Sequence, residues 1–157
     1  MDFSDYNKEV LDELTMPNVL LNVPLTSMTS GEADFPAPPA TRFYAGDWDS
    51  LLTTILLTAC RDSEEQKYDL ILTSETIYNV ANQAKLIAIF KQCLKRPNSD
   101  GDGGGEILVA AKSVYFGVGG GLQEFRRRLE EEGGFAVATA AKSKTGVSRH
   151  ILKAVHR

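Results

Sequence analysis

Cysteine, histidine and long apolar runs are all scarce in this chain of 157 residues. Its two cysteines, Cys60 and Cys93, are too few for a disulfide scaffold or a cysteine-rich zinc site. No uninterrupted apolar run approaches the roughly 20 residues that span a bilayer. The opening residues Met1-Asp2-Phe3-Ser4-Asp5-Tyr6 hold neither the basic segment nor the apolar stretch of a signal peptide. Positive charge is not in excess: 17 Lys and Arg stand against 21 Asp and Glu, a net charge of −4. That balance argues against a stand-alone nucleic-acid binder. His150 and His156, the two histidines, fall near the carboxyl end and read as structural rather than catalytic. No Gly-x-Ser-x-Gly elbow supports a Ser-His-Asp triad, and no Gly-Lys-Ser/Thr closes a Walker loop. With 43% hydrophobic and 24% charged residues, the expectation is a reduced, intracellular α/β domain of ordinary composition.

The pattern along the chain alternates. Tyr68-Asp69-Leu70-Ile71-Leu72-Thr73 and Glu106-Ile107-Leu108-Val109-Ala110-Ala111-Lys112 are short apolar runs with polar flanks, which reads as strands buried on both faces of a parallel sheet. Between them, residues 79–95 carry a wide apolar helical stripe, completing a βαβ unit. Upstream, a helix is expected over 6–21 with Val10, Leu11, Leu14 and Val19 on one side, kinked or ended by Pro17. A flexible insertion near 27–40, a short strand at 42–45 and an apolar helix over 50–60 follow. Downstream come a glycine-rich, floppy connection near 98–105 and a helix over 119–132 with Leu122, Phe125 and Leu129 inward. Two closing strands at 135–138 and 150–155 are expected to pair antiparallel. This is the alternation of a doubly wound sheet with helices on both faces.

Open sheets of that kind bind ligands outside the carboxyl ends of their strands, so the residues that follow each strand matter most. Asp5 suits either a ribose diol or a helix cap. Gly46-Asp47-Trp48 sets a carboxylate beside the single tryptophan, which suits an adenine ring or a turn acid beside a core residue. Ser74-Glu75-Thr76-Ile77-Tyr78-Asn79 offers a hydroxyl, a carboxylate, a phenol and an amide, with Thr76 or Asn79 expected to cap the next helix. In Phe116-Gly117-Val118-Gly119-Gly120-Gly121 the glycines follow a late strand in the wrong spacing for a dinucleotide fingerprint. That segment reads instead as a flexible substrate-side loop whose backbone can approach a partner closely. Arg126-Arg127-Arg128 before Glu130-Glu131-Glu132 is the pattern of a solvated helix face with i, i+4 pairs.

On these residues the chain resembles the protein-histidine N-methyltransferases, the methyltransferase-like enzymes called histidine protein methyltransferase 1 homologs. The resemblance rests on Asp5-Tyr6-Asn7 with Met16-Pro17-Asn18-Val19, on Phe43 through Trp48, on Tyr68 through Asn79 and on Tyr115 through Gly121. It implies a Rossmann-like, seven-stranded class I fold dependent on S-adenosyl-L-methionine, mostly parallel with one antiparallel strand. Residues 1–157 would form a single, partial methyltransferase domain without the N-terminal first strand and its glycine-rich turn, which sit between the second and fourth strands. The implied reaction is methylation of a histidine ring nitrogen in a protein, with a large-subunit ribosomal protein as substrate class. No direct nucleic-acid or membrane partner is implied; a monomer in cytoplasm and nucleus is expected.

Carried over by position, Asp5 resembles the ribose acid; Gly46, Asp47 and Trp48 resemble the adenine segment; and Ser74 resembles a cofactor contact. Tyr115, Phe116, Gly117 and Gly119 fall in the substrate loop. Glu75, Tyr78 and Asn79 are the expected partners of the substrate imidazole, because a hydrogen bond to one ring nitrogen selects the tautomer of the other. The competing readings are an inactive, truncated methyltransferase-like binding module and, with little support, a nicotinamide-dependent oxidoreductase.

Overall fold

The computed structural model describes residues 1–22, 41–58, 63–117, 119–143 and 146–157. The expected insertion near 27–40, Cys60 and Val118 lie outside the described residues. The described chain divides into two compact units, Met1–Leu51 and Leu52–Arg157.

In the first unit, β1 (Asp2–Asp5) runs parallel to β2 (Arg42–Ala45), with Asp2 opposite Arg42 and Asp5 opposite Ala45. That register places Phe3 against Phe43, stacked at 5.5 Å between ring centroids. It also lets the Arg42 guanidinium donate to both Asp2 carboxylate oxygens, at 2.8 and 2.9 Å. After β1 the chain winds as α1 (Lys8–Val10), a π-helical segment Leu11–Thr15 and α2 (Met16–Asn22). Of the two outcomes expected at Pro17, a kink or an end, the helix does not end: it continues as α2 directly after a π-helical distortion. Proline lacks the N–H for an α-helical bond and its ring crowds the carbonyl four residues back. The π segment just before it widens the turn, and the Met16 N–H bonds to the Leu11 carbonyl. The wider turn also spoils the expected stripe: Leu11 is buried, whereas Leu14 is exposed.

The second unit is a four-stranded sheet ordered β3 (Leu70–Ser74), β4 (Glu106–Lys112), β6 (Arg149–His156), β5 (Phe135–Lys142). β3 and β4 are parallel neighbours joined through α4 (Val80–Cys93), the expected βαβ unit. β6 lies antiparallel to both β4 and β5, so it is the one reversed strand of this sheet. Alternate residues Ile107, Val109 and Ala111 of β4, with Leu152, Ala154 and Phe135, are fully or almost fully buried. Leu86, Ile87 and Phe90 of α4 join that core, as do Leu122, Phe125 and Leu129 of α5 (Leu122–Glu131), the i, i+3, i+7 set expected. The α3 helix (Trp48–Thr58) crosses the boundary between units.

Two expectations are corrected here. The strand at 68–73 is not buried on both faces: Leu70 is 47% and Leu72 67% exposed, on a sheet face left open to solvent. The six strands among the described residues form two sheets, β1-β2 and β3-β4-β6-β5, with parallel and antiparallel pairing. The connection at 98–105 is a closed turn rather than a floppy link. Asn98 Oδ1 accepts from the N–H groups of Asp100 and Asp102, and the Asn98 N–H donates to the Asp102 carbonyl.

Candidate active site

At the carboxyl ends of β1 and β2 the structure brings Asp5 and Gly46 together: the Gly46 N–H donates to the Asp5 carbonyl at 3.1 Å. Gly46 turns the chain there with φ +130°, a conformation open mainly to glycine. Asp5 Oδ1 accepts from the Asn7 N–H at 2.8 Å, and Asp47 Oδ1 from the Asp49 N–H, also at 2.8 Å. Asp47 thus serves as the turn acid at the start of α3, while the Asp5 bond closes a turn ahead of α1, whose cap position is Asn7, so Asp5 is not the helix cap itself. That bond does not exhaust Asp5: a carboxylate accepts about four hydrogen bonds, the Asn7 N–H supplies one, and the side chain is half-buried at the strand end. That chemistry fits a ribose diol. Trp48 is half-buried at the start of α3.

The richer site lies in the second unit, at the carboxyl ends of β3 and β4. The Glu75 N–H extends the parallel ladder by one bond, to the Ala110 carbonyl at 2.9 Å. The chain then breaks away at Glu75 itself, with φ +56°, the one described non-glycine residue in left-handed space. For a residue with a Cβ that conformation is unfavourable and persists only where surrounding contacts hold it. Here the carboxylate lies 3.6 Å from Lys112 Nζ and 4.0 Å from Arg149 Nε, and it interacts with the Tyr115 hydroxyl. Burial, with the neighbouring Glu75 charge adding to it, pushes the Tyr115 phenol above its ordinary range, so it stays protonated and able to donate. Lys112 Nζ sits 5.7 Å from the Tyr115 ring centroid, and the Lys112 N–H donates to the Tyr115 oxygen at 3.2 Å. Ser74, Glu75, Lys112, Lys142, Arg149 and His150 line an open cleft of about 670 Å³.

Antiparallel pairing explains the basic wall. Lys112 lies opposite Arg149, and Lys142 opposite His150. Ser113 and Ser148 brace this corner, oxygen to oxygen at 2.9 Å, with the His150 Nε2 3.3 Å from the Ser148 hydroxyl. Arg149 and Lys142 escaped sequence reasoning because they lie far along the chain from Glu75. The register of the expected closing strands was the signal that held them.

The two loops beside the cleft are joined. Asn79 and Gly119 form an antiparallel bridge, as do Val114 and Gly121, and the Tyr78 and Tyr115 rings lie 6.3 Å apart. Gly120 has no room for a side chain: a Cβ there would come 2.3 Å from the Tyr78 carbonyl oxygen. Asn79 is the helix cap, accepting from the Ala81 N–H at 3.0 Å, while the hydroxyls of Thr76 and Thr73 lie 2.8 Å apart. From below, Gln83, fully buried, donates to the Ile77 carbonyl at 2.8 Å and accepts from Arg128 at 3.2 Å. The structure thus unites Ser74, Glu75, Tyr78, Asn79, Tyr115 and Gly119 with the cationic wall. Asp5, Gly46, Asp47 and Trp48 form their own group in the first unit. Phe116 and Gly117 stand at the turn's tip, Phe116 93% exposed.

A mixed α/β chain with parallel strands, one reversed strand and polar residues gathered at the strand ends fits a methyltransferase-like fold. No protein-family model matches the chain. Among curated proteins it is 36% identical over 162 residues to a histidine protein methyltransferase 1 homolog of Mus musculus, covering 96% of this chain and 42% of that protein. A protein of the same name from Bos taurus is 34% identical over 167 residues, covering 96% and 41%. One from Dictyostelium discoideum is 33% identical over 149 residues, covering 93% and 38%. The chain spans about two-fifths of the length of these relatives. The chain is thus similar over nearly its whole length to part of the histidine protein methyltransferase 1 homologs.

Proposed function

We propose that this chain carries the substrate side of a transfer of a methyl group from S-adenosyl-L-methionine to a histidine ring nitrogen in a protein, with large-subunit ribosomal proteins as substrate class. The observation that supports it best is Glu75, held in left-handed backbone at a strand end and ringed by Lys112, Tyr115 and Arg149. A histidine side chain has an ordinary pKa near 6.5, so much of it is neutral and nucleophilic at pH 7. It needs orientation more than activation. Glu75 accepts the hydrogen bond of one ring N–H and so presents the lone pair of the other nitrogen. Methylation makes the ring cationic, and the same carboxylate stabilises that charge before the N–H proton leaves. The contacts from Lys112 and Arg149 are long and half-exposed, which orients the carboxylate without consuming its lone pairs. Tyr115, protonated, supplies a third contact.

The methyl donor, when bound, supplies an electrophilic methyl on a sulfonium. Of the residues suited to hold it, Asp5 offers carboxylate capacity for the ribose in the first unit, beside Gly46, Asp47 and Trp48. Incubating the full chain with trideuterated donor and large-subunit ribosomal proteins should yield deuterated methylhistidine on hydrolysis. Label on lysine or arginine alone would overturn the histidine assignment, and no label at all would favour the inactive binding module.

A further inference from the structure

We propose that Phe116, with Tyr78, forms an aromatic lip that takes an apolar side chain of the substrate polypeptide close to the target histidine. This rests on the histidine-methylation reading and deepens it. Phe116 is 93% exposed, the most exposed of the large hydrophobic residues described; Tyr78 (48%) and Val114 (55%) are exposed on the same pair of loops, and Val80 (40%) at the start of α4. Scattered exposed hydrophobics need no explanation, but a cluster beside a site does.

The presentation is built into the backbone. The turn that carries Phe116 is closed at its base by the Val114–Gly121 bridge and by the Tyr115 N–H donating to the Gly120 carbonyl at 3.3 Å. Its flank is fixed by the Asn79–Gly119 bridge, and Gly120 lies tight against the Tyr78 and Ile77 carbonyls. Gly117 and Gly119, at φ +81° and +79°, supply the left-handed positions the turn requires. So the backbone that carries Phe116 is tied on both sides of its loop, and its side chain is left exposed.

Continuity with the cleft identifies the occupant. Tyr78 lies three residues from Glu75 and touches Tyr115, whose ring carries Lys112 and whose hydroxyl interacts with Glu75. A histidine side chain seated at Glu75 brings its own flanking residues past this rim. The relatives are named for a protein substrate, so flanking residues are present to be read. Exposed aromatic groups suit an aliphatic or aromatic neighbour, and such anchors dominate binding where they are buried.

The test uses the full chain and a fluorescein-labelled positional library of short peptides, each with one central histidine and either an apolar or a serine flank. Wild type should bind apolar-flanked peptides about tenfold or more tightly than serine-flanked ones by anisotropy. Phe116→Ala should remove the difference, and Phe116→Leu should restore most of it. Equal binding of both peptide sets by wild type, or an unchanged preference in Phe116→Ala, overturns the lip. Methyl transfer to the same peptides is read in parallel. Transfer without flank preference would retire the lip and keep the reaction. Preference that needs Phe116, without transfer, would keep the lip and retire the reaction.

Discussion

Gly120 provides a clean perturbation because space, and not backbone conformation, excludes a side chain there. A Cβ would lie 2.3 Å from the Tyr78 carbonyl oxygen and 2.6 Å from that of Ile77. Both obstacles are backbone atoms, so no rotamer change relieves the clash and the two loops must part. Overpacking of this kind costs about 1–3 kcal/mol, which in a chain of this size lowers Tm by roughly 3–10 °C. Parting the loops would also break the Asn79–Gly119 bridge and move Tyr78 away from Tyr115. Gly117→Ala is the control, because nothing lies within 4 Å of its Cβ position while its φ of +81° penalises an L side chain. That penalty is roughly 1–2 kcal/mol and leaves Tyr78 in place. Both glycine variants should lose stability in urea, and Gly120→Ala, which also displaces Tyr78, should lose the more methyl transfer of the two. A Gly120→Ala protein within about 0.5 kcal/mol of wild type, the usual range of a neutral surface change, would refute the geometry of the joined loops.

Three further perturbations follow from the same structure. Gln83→Leu removes the amide that satisfies the Ile77 carbonyl, so denaturant unfolding should show a loss of about 1–3 kcal/mol; a neutral result would mean that this carbonyl has another partner. Glu75→Gly relieves the left-handed strain and should leave the protein as stable as wild type, or up to about 1 kcal/mol more so, while abolishing transfer; a clear loss of stability would mean that the ion cluster supports the fold. Burial holds His156, 3.3 Å from the Leu94 carbonyl and 4.9 Å from the Phe135 ring, below the ordinary histidine range. Above a pH of about 6.5 both states are neutral and this group adds no pH dependence. As pH falls through that value the unfolded chain binds the proton first, so stability declines, then levels off below the lower folded pKa. The urea midpoint of His156→Gln should fall less over that interval than wild type; identical slopes would remove His156 from the account.

Much of the second unit was legible in the residues because its signals are local. The alternation Ile107, Val109, Ala111 and the Leu122, Phe125, Leu129 spacing each follow from one element's own periodicity. Asn79 as a cap and the i, i+4 arginine–glutamate pairs of α5 are equally short-range, and both appear. What escaped was set at a distance. Leu70 and Leu72 have the composition of a strand buried on both faces, and only the other elements decide which side is covered. Gln83 looks like a surface residue until the Ile77 carbonyl and the Arg128 guanidinium are placed around it. Arg149 enters the site through pairing opposite Lys112, a contact 37 residues apart in sequence. The left-handed turn at Glu75 has no signature in its own residue type, and Pro17 passes through a helix because a π turn makes room for it.

Glu75 is the group proposed to orient the substrate histidine. The decisive measurement is the rate of methylhistidine formation by the full chain and by Glu75→Gln, both confirmed to be folded and to bind S-adenosylhomocysteine alike. Losing the carboxylate while keeping its shape should lower the rate by about a hundredfold or more. Equal rates in the two proteins would contradict the role assigned to Glu75 and move the chemistry elsewhere in the chain.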